Sequence, residues 1–128
     1  MNATELTPNL RQLTRFGIVN AFLVREDDVG SLEVMAAPGH SPGQAAYLDT
    51  RDGSLVAGDA YSSLMGLATT AGPYRGFPLP GFITWHRPTA LDSAKKLRDL
   101  KPKLLVVGHG KPTRDPVEGM DRAIKRSE

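Results

Sequence analysis

The decisive stretch of this sequence is Ala36-Ala37-Pro38-Gly39-His40-Ser41-Pro42-Gly43-Gln44. Two further segments have the same design, Ala57-Gly58-Asp59 and Val106-Val107-Gly108-His109-Gly110. In each, an apolar run that predicts a strand stops at a glycine beside a side chain that binds metals well. The glycine permits a sharp turn that projects the next side chain past the sheet edge. We therefore expect His40, Asp59 and His109 to form one site, assembled from loops at one end of a sheet.

Composition limits the classes of protein that this chain can represent. Its 128 residues, 40% of them apolar and 23% charged, are typical of one globular domain. Cysteine is absent, which excludes disulfides and thiolate chemistry and leaves only His and carboxylates as strong metal ligands. No apolar run approaches the length of a membrane span, and the N-terminus lacks the features of a signal peptide. We therefore expect a cytoplasmic protein with no membrane partner.

Apolar patterning predicts an α/β chain. Strands are predicted at Leu10–Phe16, Ile18–Val24, Leu32–Ala36, Gln44–Asp49, Ser54–Ala57 and Leu104–Val107. Asp52-Gly53 between two of these runs predicts a hairpin, because glycine accepts the positive φ of the favoured turns. Helices are predicted from Pro88 to Leu100 and from Pro116 to Lys125. Asn20 interrupts an otherwise apolar strand and is predicted to be buried.

Between Ala60 and Arg87 the chain loses periodicity. The segment contains five aromatic residues, Tyr61, Tyr74, Phe77, Phe82 and Trp85. A loop of this length in a compact domain is commonly functional or disordered. Two interpretations stay open here: the loop forms one wall of a pocket, or its aromatic side chains attach it to the core.

The three motifs, in this order and with this spacing, resemble the third, fourth and fifth motifs of the metallo-β-lactamase superfamily. The strand Asn20–Val24 also resembles an early strand of that family. The resemblance implies an α/β fold, a truncated metallo-β-lactamase-like αβ/βα sandwich with mixed β-sheets flanked by helices. It implies one domain over residues 1–128, in which the opening strands, residues 8–28, are joined to the C-terminal portion, residues 29–128.

The chain departs from the family in one large respect, since it contains no His-x-His-x-Asp-His motif. It resembles a member from which the strand–helix block bearing that motif has been removed. In the family, the positions matching His40 and His109 serve different zinc ions, and the position matching Asp59 bridges both. The remaining residues cannot form the two-metal site. They imply one zinc ion per chain or none, held as a two-His, one-carboxylate set that zinc and iron both use.

Two functions follow from this interpretation. In the first, His40, Asp59 and His109 are the catalytic metal ligands that position a water, and the protein weakly hydrolyses an ester, thioester or amide bond of a small molecule. His86 or Tyr61 would then assist as proton donors. In the second, the chain is a non-catalytic remnant that acts as an oligomerising interaction module.

The second function predicts self-association. Loss of a strand–helix block from a sandwich would leave an unpaired sheet edge and an uncovered apolar face, so we expect a homodimer or a larger oligomer. A nucleic-acid partner is not favoured, because acidic residues are interleaved with the basic ones of the C-terminal half and the net charge is only +2.

Overall fold

The computed structural model describes residues 1–25, 30–71 and 84–128. Within these ranges, two stacked β-sheets and two helices form three layers. Residues 26–28, the end of the predicted opening segment 8–28, lie outside the described residues. So do three of the five aromatic residues of the predicted loop, Tyr74, Phe77 and Phe82.

The first layer is an antiparallel meander, which we call the N-terminal sheet. It consists of β1 (Asn2–Thr7), β2 (Leu10–Arg15) and β3 (Val19–Val24) in the order β1-β2-β3. Its inner face places Leu10 and Phe22 against Val106 of the second sheet. Burial alternates along β2 and β3, because successive side chains of a strand point to opposite sides of the sheet.

The second layer is a mixed sheet of five strands, which we call the central sheet. It consists of β4 (Leu32–Ala36), β5 (Ala45–Asp49), β6 (Ser54–Val56), β9 (Leu104–Val106) and β10 (Thr113–Arg114). Their order is β10-β9-β6-β5-β4, and only the β6–β9 pair is parallel. The predicted hairpin at Asp52-Gly53 is confirmed, since Asp49 pairs with Ser54 across it.

Two helices, α1 (Arg87–Asp99) and α2 (Val117–Ser127), cover the opposite face of the central sheet. Both predicted helices are confirmed to within two residues at each end. The contact is apolar: Leu55, Leu105 and Val107 of the sheet side share one core with Leu97 of α1 and Met120 of α2. The described residues therefore form mixed sheets flanked by helices, the arrangement that the resemblance predicted.

Several short elements were not predicted from the sequence. The strand β1 has a mostly polar sequence, and β10 contains only two residues. A 3₁₀ turn, Gly58–Ala60, is followed by the two-residue strands β7 (Tyr61–Ser62) and β8 (Ala68–Thr69), which pair with each other. Elements this short have no hydrophobic period to detect. None of the helices in the described ranges is long and apolar enough to cross a membrane.

Tyr61 is part of the core and is not positioned as a proton donor for the site. Its side chain is fully buried, and its hydroxyl donates a hydrogen bond to the Ala94 carbonyl oxygen at 2.7 Å. Burial raises the pKa of the Tyr61 phenol above its ordinary value of 10.0. The predicted role of Tyr61 as a proton donor is therefore wrong, because its hydroxyl is buried and its proton is used in the hydrogen bond to α1.

We predict that Tyr61→Phe lowers the free energy of unfolding by about 1 kcal/mol near neutral pH, the net value of one hydrogen bond. Above pH 10 the unfolded state loses the Tyr61 proton while the folded state keeps it, so wild-type stability falls by about 1.4 kcal/mol per pH unit from this residue. The difference in the free energy of unfolding between wild type and variant should disappear near pH 11, roughly one unit above the pKa of Tyr61 in the unfolded state. Urea denaturation of both proteins at several pH values measures this difference, and a difference that does not change with pH would contradict the prediction.

Candidate metal centre

The loop that bears His40 is held between β4 and the start of α1. The Ala37 N–H donates to the Gln44 carbonyl oxygen at 2.9 Å, which closes the loop at its base. Gly39 has a φ of +133°, and a Cβ at this position would overlap the backbone of Ala90 in α1. Only glycine permits this close approach. The backbone on either side of His40 is therefore fixed against the helix.

Thr84 determines which nitrogen of His40 bears the proton. The Thr84 hydroxyl lies 2.6 Å from the Thr70 carbonyl oxygen and 3.0 Å from His40 Nδ1. Because a carbonyl oxygen only accepts, the single hydroxyl proton of Thr84 is used for Thr70. Thr84 Oγ1 must then accept from the Nδ1–H of His40. In neutral His40 this leaves a lone pair on Nε2, the nitrogen that faces the site.

Asp59 lies in the 3₁₀ turn directly after β6, and His109 lies just beyond β9. The two strands are parallel neighbours, so their ends meet at one edge of the central sheet. Gly58 has a φ of +55°, and its carbonyl oxygen accepts from the Gly108 N–H at 2.9 Å. These backbone contacts bring the carboxylate of Asp59 next to the imidazole of His109.

Asp59 stands between the two histidines. Its Oδ1 lies 3.0 Å from His109 Nδ1, a hydrogen bond in which the imidazole donates, and its Oδ2 lies 4.0 Å from His40 Nε2. The His40 side chain is 18% exposed, whereas Asp59 and His109 are 39% and 43% exposed. The structure therefore brings together the three residues that the strand–glycine pattern selected, at a place open to solvent.

The donor types of this cluster fit one divalent ion, and their number does not fit two. Two ligands of a tetrahedral zinc ion are separated by about 3.4 Å. His40 Nε2 and Asp59 Oδ2 lie 4.0 Å apart, slightly farther than such a pair. As the side chains stand, no group of three or more His, Cys, Asp or Glu in the described ranges is arranged to hold a metal ion. The cluster is thus close to a ligand set without being one.

The third histidine, His86, is not part of this cluster. It is the N-cap of α1, where its Nδ1 accepts from the Thr89 N–H and lies 2.6 Å from the Thr89 hydroxyl. Its ring packs against the exposed Trp85. The structure thus assigns His86 to helix capping, and the predicted role as a proton donor has no geometric basis.

Comparison with known proteins identifies the family of this chain. The family model of the metallo-beta-lactamase superfamily matches residues 18–109, well over half of the chain. The chain belongs to this superfamily. Among curated proteins, it is similar to YobT, an uncharacterized protein of Bacillus subtilis strain 168, with 44% identity over 101 residues.

Solved structures of the superfamily give the same result for the fold. TTHA1429 from Thermus thermophilus aligns at 26% identity with a TM-score of 0.55, and ST1585 from Sulfolobus tokodaii aligns at 23% with a TM-score of 0.56. These alignments cover 74% and 80% of this chain. The chain spans only 43% of YobT, 29% of TTHA1429 and 36% of ST1585. It therefore corresponds to less than half the length of these superfamily relatives.

We predict that Gly108→Ala separates Asp59 from His109 without unfolding the protein. A methyl group at position 108 would lie 2.6 Å from Asp59 Oδ1, the oxygen that accepts from His109, and the backbone of Gly108 has no positive φ. The carboxylate must move, so the His109 ring signals in long-range ¹H–¹⁵N spectra should shift. Gly43→Ala is the matched control, because nothing lies within 4 Å of its added Cβ. Identical ring spectra in the Gly108 variant and wild type would refute the prediction.

Proposed function

We propose that this chain is a metal-dependent hydrolase-like protein of the metallo-beta-lactamase superfamily with a reduced site for one ion. The ligands would be His40, Asp59 and His109, and the ion zinc or iron. The reaction would be slow hydrolysis of an ester, thioester or amide bond. The single observation behind this proposal is the gap of 4.0 Å between His40 Nε2 and Asp59 Oδ2.

Both atoms that face this gap are acceptors. Thr84 places the proton of neutral His40 on Nδ1, so Nε2 presents a lone pair toward a carboxylate oxygen. Their separation is longer than a charge-assisted N–H···O hydrogen bond, which is typically about 2.7–2.9 Å. Two electron-rich atoms aimed at each other favour a cation between them. This arrangement supports a metal site more strongly than the motif spacing alone.

The hydrogen bond between Asp59 and His109 has a second role in this proposal, which is to orient the histidine ring. Metal-binding histidines commonly donate their other ring N–H to a carboxylate, which fixes the tautomer and the ring orientation. The Nδ1–H···Oδ1 bond of 3.0 Å is a contact of this kind, and it leaves Nε2 of His109 as the free ring nitrogen. Asp59 would thus orient one histidine while facing the other. Because Nε2 of His109 lies on the far side of the ring from Asp59, the His109 ring would have to turn for all three side chains to bind one ion.

The chemistry of the proposed site divides between the ion and the chain. A bound ion would lower the pKa of a water to about 7 and polarise a carbonyl group. The chain itself would hold the ligands at one sheet edge and leave Asp59 and His109 accessible to a substrate, since both are more than a third exposed. A site this open excludes little water, so we expect slow turnover.

We predict about one zinc or iron per chain, by elemental mass spectrometry, in untagged protein purified without chelator. The variant His40→Ala, His109→Ala should lose the metal. His86→Asn is the matched control: it removes an imidazole but keeps an N-cap acceptor for α1, so its metal content should equal that of wild type. Metal-free wild type, or equal metal in the double variant, would refute the one-ion site.

Hydrolysis should follow metal content. With ester and thioester panels, wild-type turnover should be low and should disappear both in Asp59→Asn and after treatment with a chelator. Restoring zinc should recover the activity of wild type alone. Metal-loaded wild type that hydrolyses none of these substrates would leave a metal-binding protein and overturn the hydrolase part of the proposal.

We also propose that the chain self-associates, as a second function independent of turnover. The observation that favours it is an apolar patch on the outer side of the N-terminal sheet and its β2–β3 turn. Phe16 is 79% exposed, Leu23 58% and Val19 44%. Val19 and Leu23 alternate with residues that face the central sheet, so they lie on the opposite face. A second copy of this chain would cover them.

We predict that wild type is a dimer or larger oligomer at micromolar concentration and that the double variant Val19→Glu, Leu23→Glu is a monomer. Size-exclusion chromatography with light scattering measures this. Lys125→Glu, at an exposed position of α2, is the matched control because it changes the formal charge by the same amount. Monomeric wild type would contradict the proposal. A cytoplasmic location and the lack of a nucleic-acid partner stay predictions.

A further inference from the structure

Asn20 links the N-terminal sheet to the loop that bears His109. Its Nδ2 donates to the Val107 carbonyl oxygen at 2.9 Å and to the Gly110 carbonyl oxygen at 2.7 Å. Its backbone N–H donates to the Gly108 carbonyl oxygen at 2.8 Å. Three hydrogen bonds from one residue therefore bracket His109 on both sides. Asn20 was predicted from the sequence to be buried, and the structure shows it half-buried with a defined set of hydrogen-bond partners.

The amide of Asn20 is itself fixed in orientation. Its Oδ1 accepts from the Thr14 hydroxyl at 2.8 Å and from Gln12 Nε2 at 3.1 Å. Because both neighbours donate, the oxygen must face them and the NH₂ group must face the loop. All donors and acceptors of the Asn20 amide are thereby used. With hydrogen bonds at both its oxygen and its NH₂ group, the Asn20 side chain has one stable orientation.

Gly108 is held from two directions as a result. Its carbonyl oxygen accepts from the Asn20 backbone, and its N–H donates to the Gly58 carbonyl oxygen at 2.9 Å, one residue before Asp59. The peptide that precedes His109 thus lies between the N-terminal sheet and the turn of Asp59. Any shift of Asn20 would move His109 relative to the carboxylate that it contacts.

We propose that Asn20 is a positioning residue, which holds the 107–110 loop so that His109 faces Asp59. This inference rests on the proposed function for its chemical meaning, although the loop contacts exist without it. The polar network has a cost, because the buried Gln12 Oε1 has no hydrogen-bond partner among the described residues. An apolar side chain at position 12 would have Leu10 and Phe22 as neighbours and would leave no polar atom unsatisfied. The amide instead orients Asn20.

The test compares Asn20→Asp with Asn9→Asp. Both substitutions exchange an amide for a carboxylate in the N-terminal sheet region, but only the first turns a donor to two carbonyl groups into an acceptor. In metal-free protein, amide hydrogen exchange at Gly108, whose N–H donates to the Gly58 carbonyl oxygen, should rise at least about tenfold in Asn20→Asp, while the amides of α1 keep their protection. Asn9→Asp should exchange like wild type. Unchanged loop exchange, or an equal rise in α1, would overturn the proposal.

Zinc affinity gives the second readout, measured by competition with a chromogenic chelator. Asn20→Asp should weaken binding about 10- to 100-fold, the usual effect of removing a group that orients a ligand. Equal affinity in the two variants would reduce Asn20 to a structural residue and overturn its positioning role. If wild type binds no zinc, the proposed one-ion site fails, and hydrogen exchange alone decides on Asn20. If Asn20→Asp does not fold, Thr14→Val, which removes one donor to Oδ1, should give a smaller loop-specific rise.

Discussion

The parallel pairing of β6 with β9 determines the position of nearly every residue in the candidate site. Val56 pairs with Val106, and the ladder continues as the Ala57 N–H donates to the Val106 carbonyl oxygen and the Gly108 N–H to the Gly58 carbonyl oxygen. Parallel strands end at the same edge, so the turns that follow them emerge together. Asp59 and His109 are 50 positions apart in sequence and make a hydrogen bond because of this pairing. β5, next to β6, begins just after the loop of His40 and brings that loop to the same edge.

The sequence was sufficient to select His40, Asp59 and His109, because each follows an apolar run and a glycine, a local pattern with a direct structural cause. It also predicted the hairpin at Asp52-Gly53 and both helices, whose periodicity extends over many residues. It did not predict the role of Thr84 or Asn20. Their contacts join residues 44 and about 90 positions away from them, and hydroxyl and amide side chains in isolation have no pattern that indicates a distant partner. The role of Tyr61 was mistaken for the same reason, since only packing shows that its hydroxyl faces α1.

The two faces of the N-terminal sheet have different surroundings. Both described helices lie on the central sheet, and the outer face of the N-terminal sheet exposes Val19 and Leu23. The inner face of that sheet is nonetheless well used: Leu10 is buried against Leu104 and Val106. The N-terminal sheet is therefore attached by an apolar core in its middle and by Asn20 at the site. Its exposed face and its functional face are opposite sides of the same three strands.

Asp59 determines the geometry of the candidate site, because one carboxylate faces two histidines. Its Oδ1 is occupied by the His109 N–H, so only Oδ2 is directed toward His40. An ion in that gap would be attracted by the lone pair of His40 and by a carboxylate whose charge His109 shares but does not cancel, since neutral imidazole donates without neutralising. The hydrogen bond to His109 thus orients the carboxylate toward His40, but it uses Oδ1 and leaves only Oδ2 to face that histidine. This division explains why three donors lie within a few ångströms of each other without forming a closed ligand set among the described residues: the carboxylate between the two histidines is already half engaged.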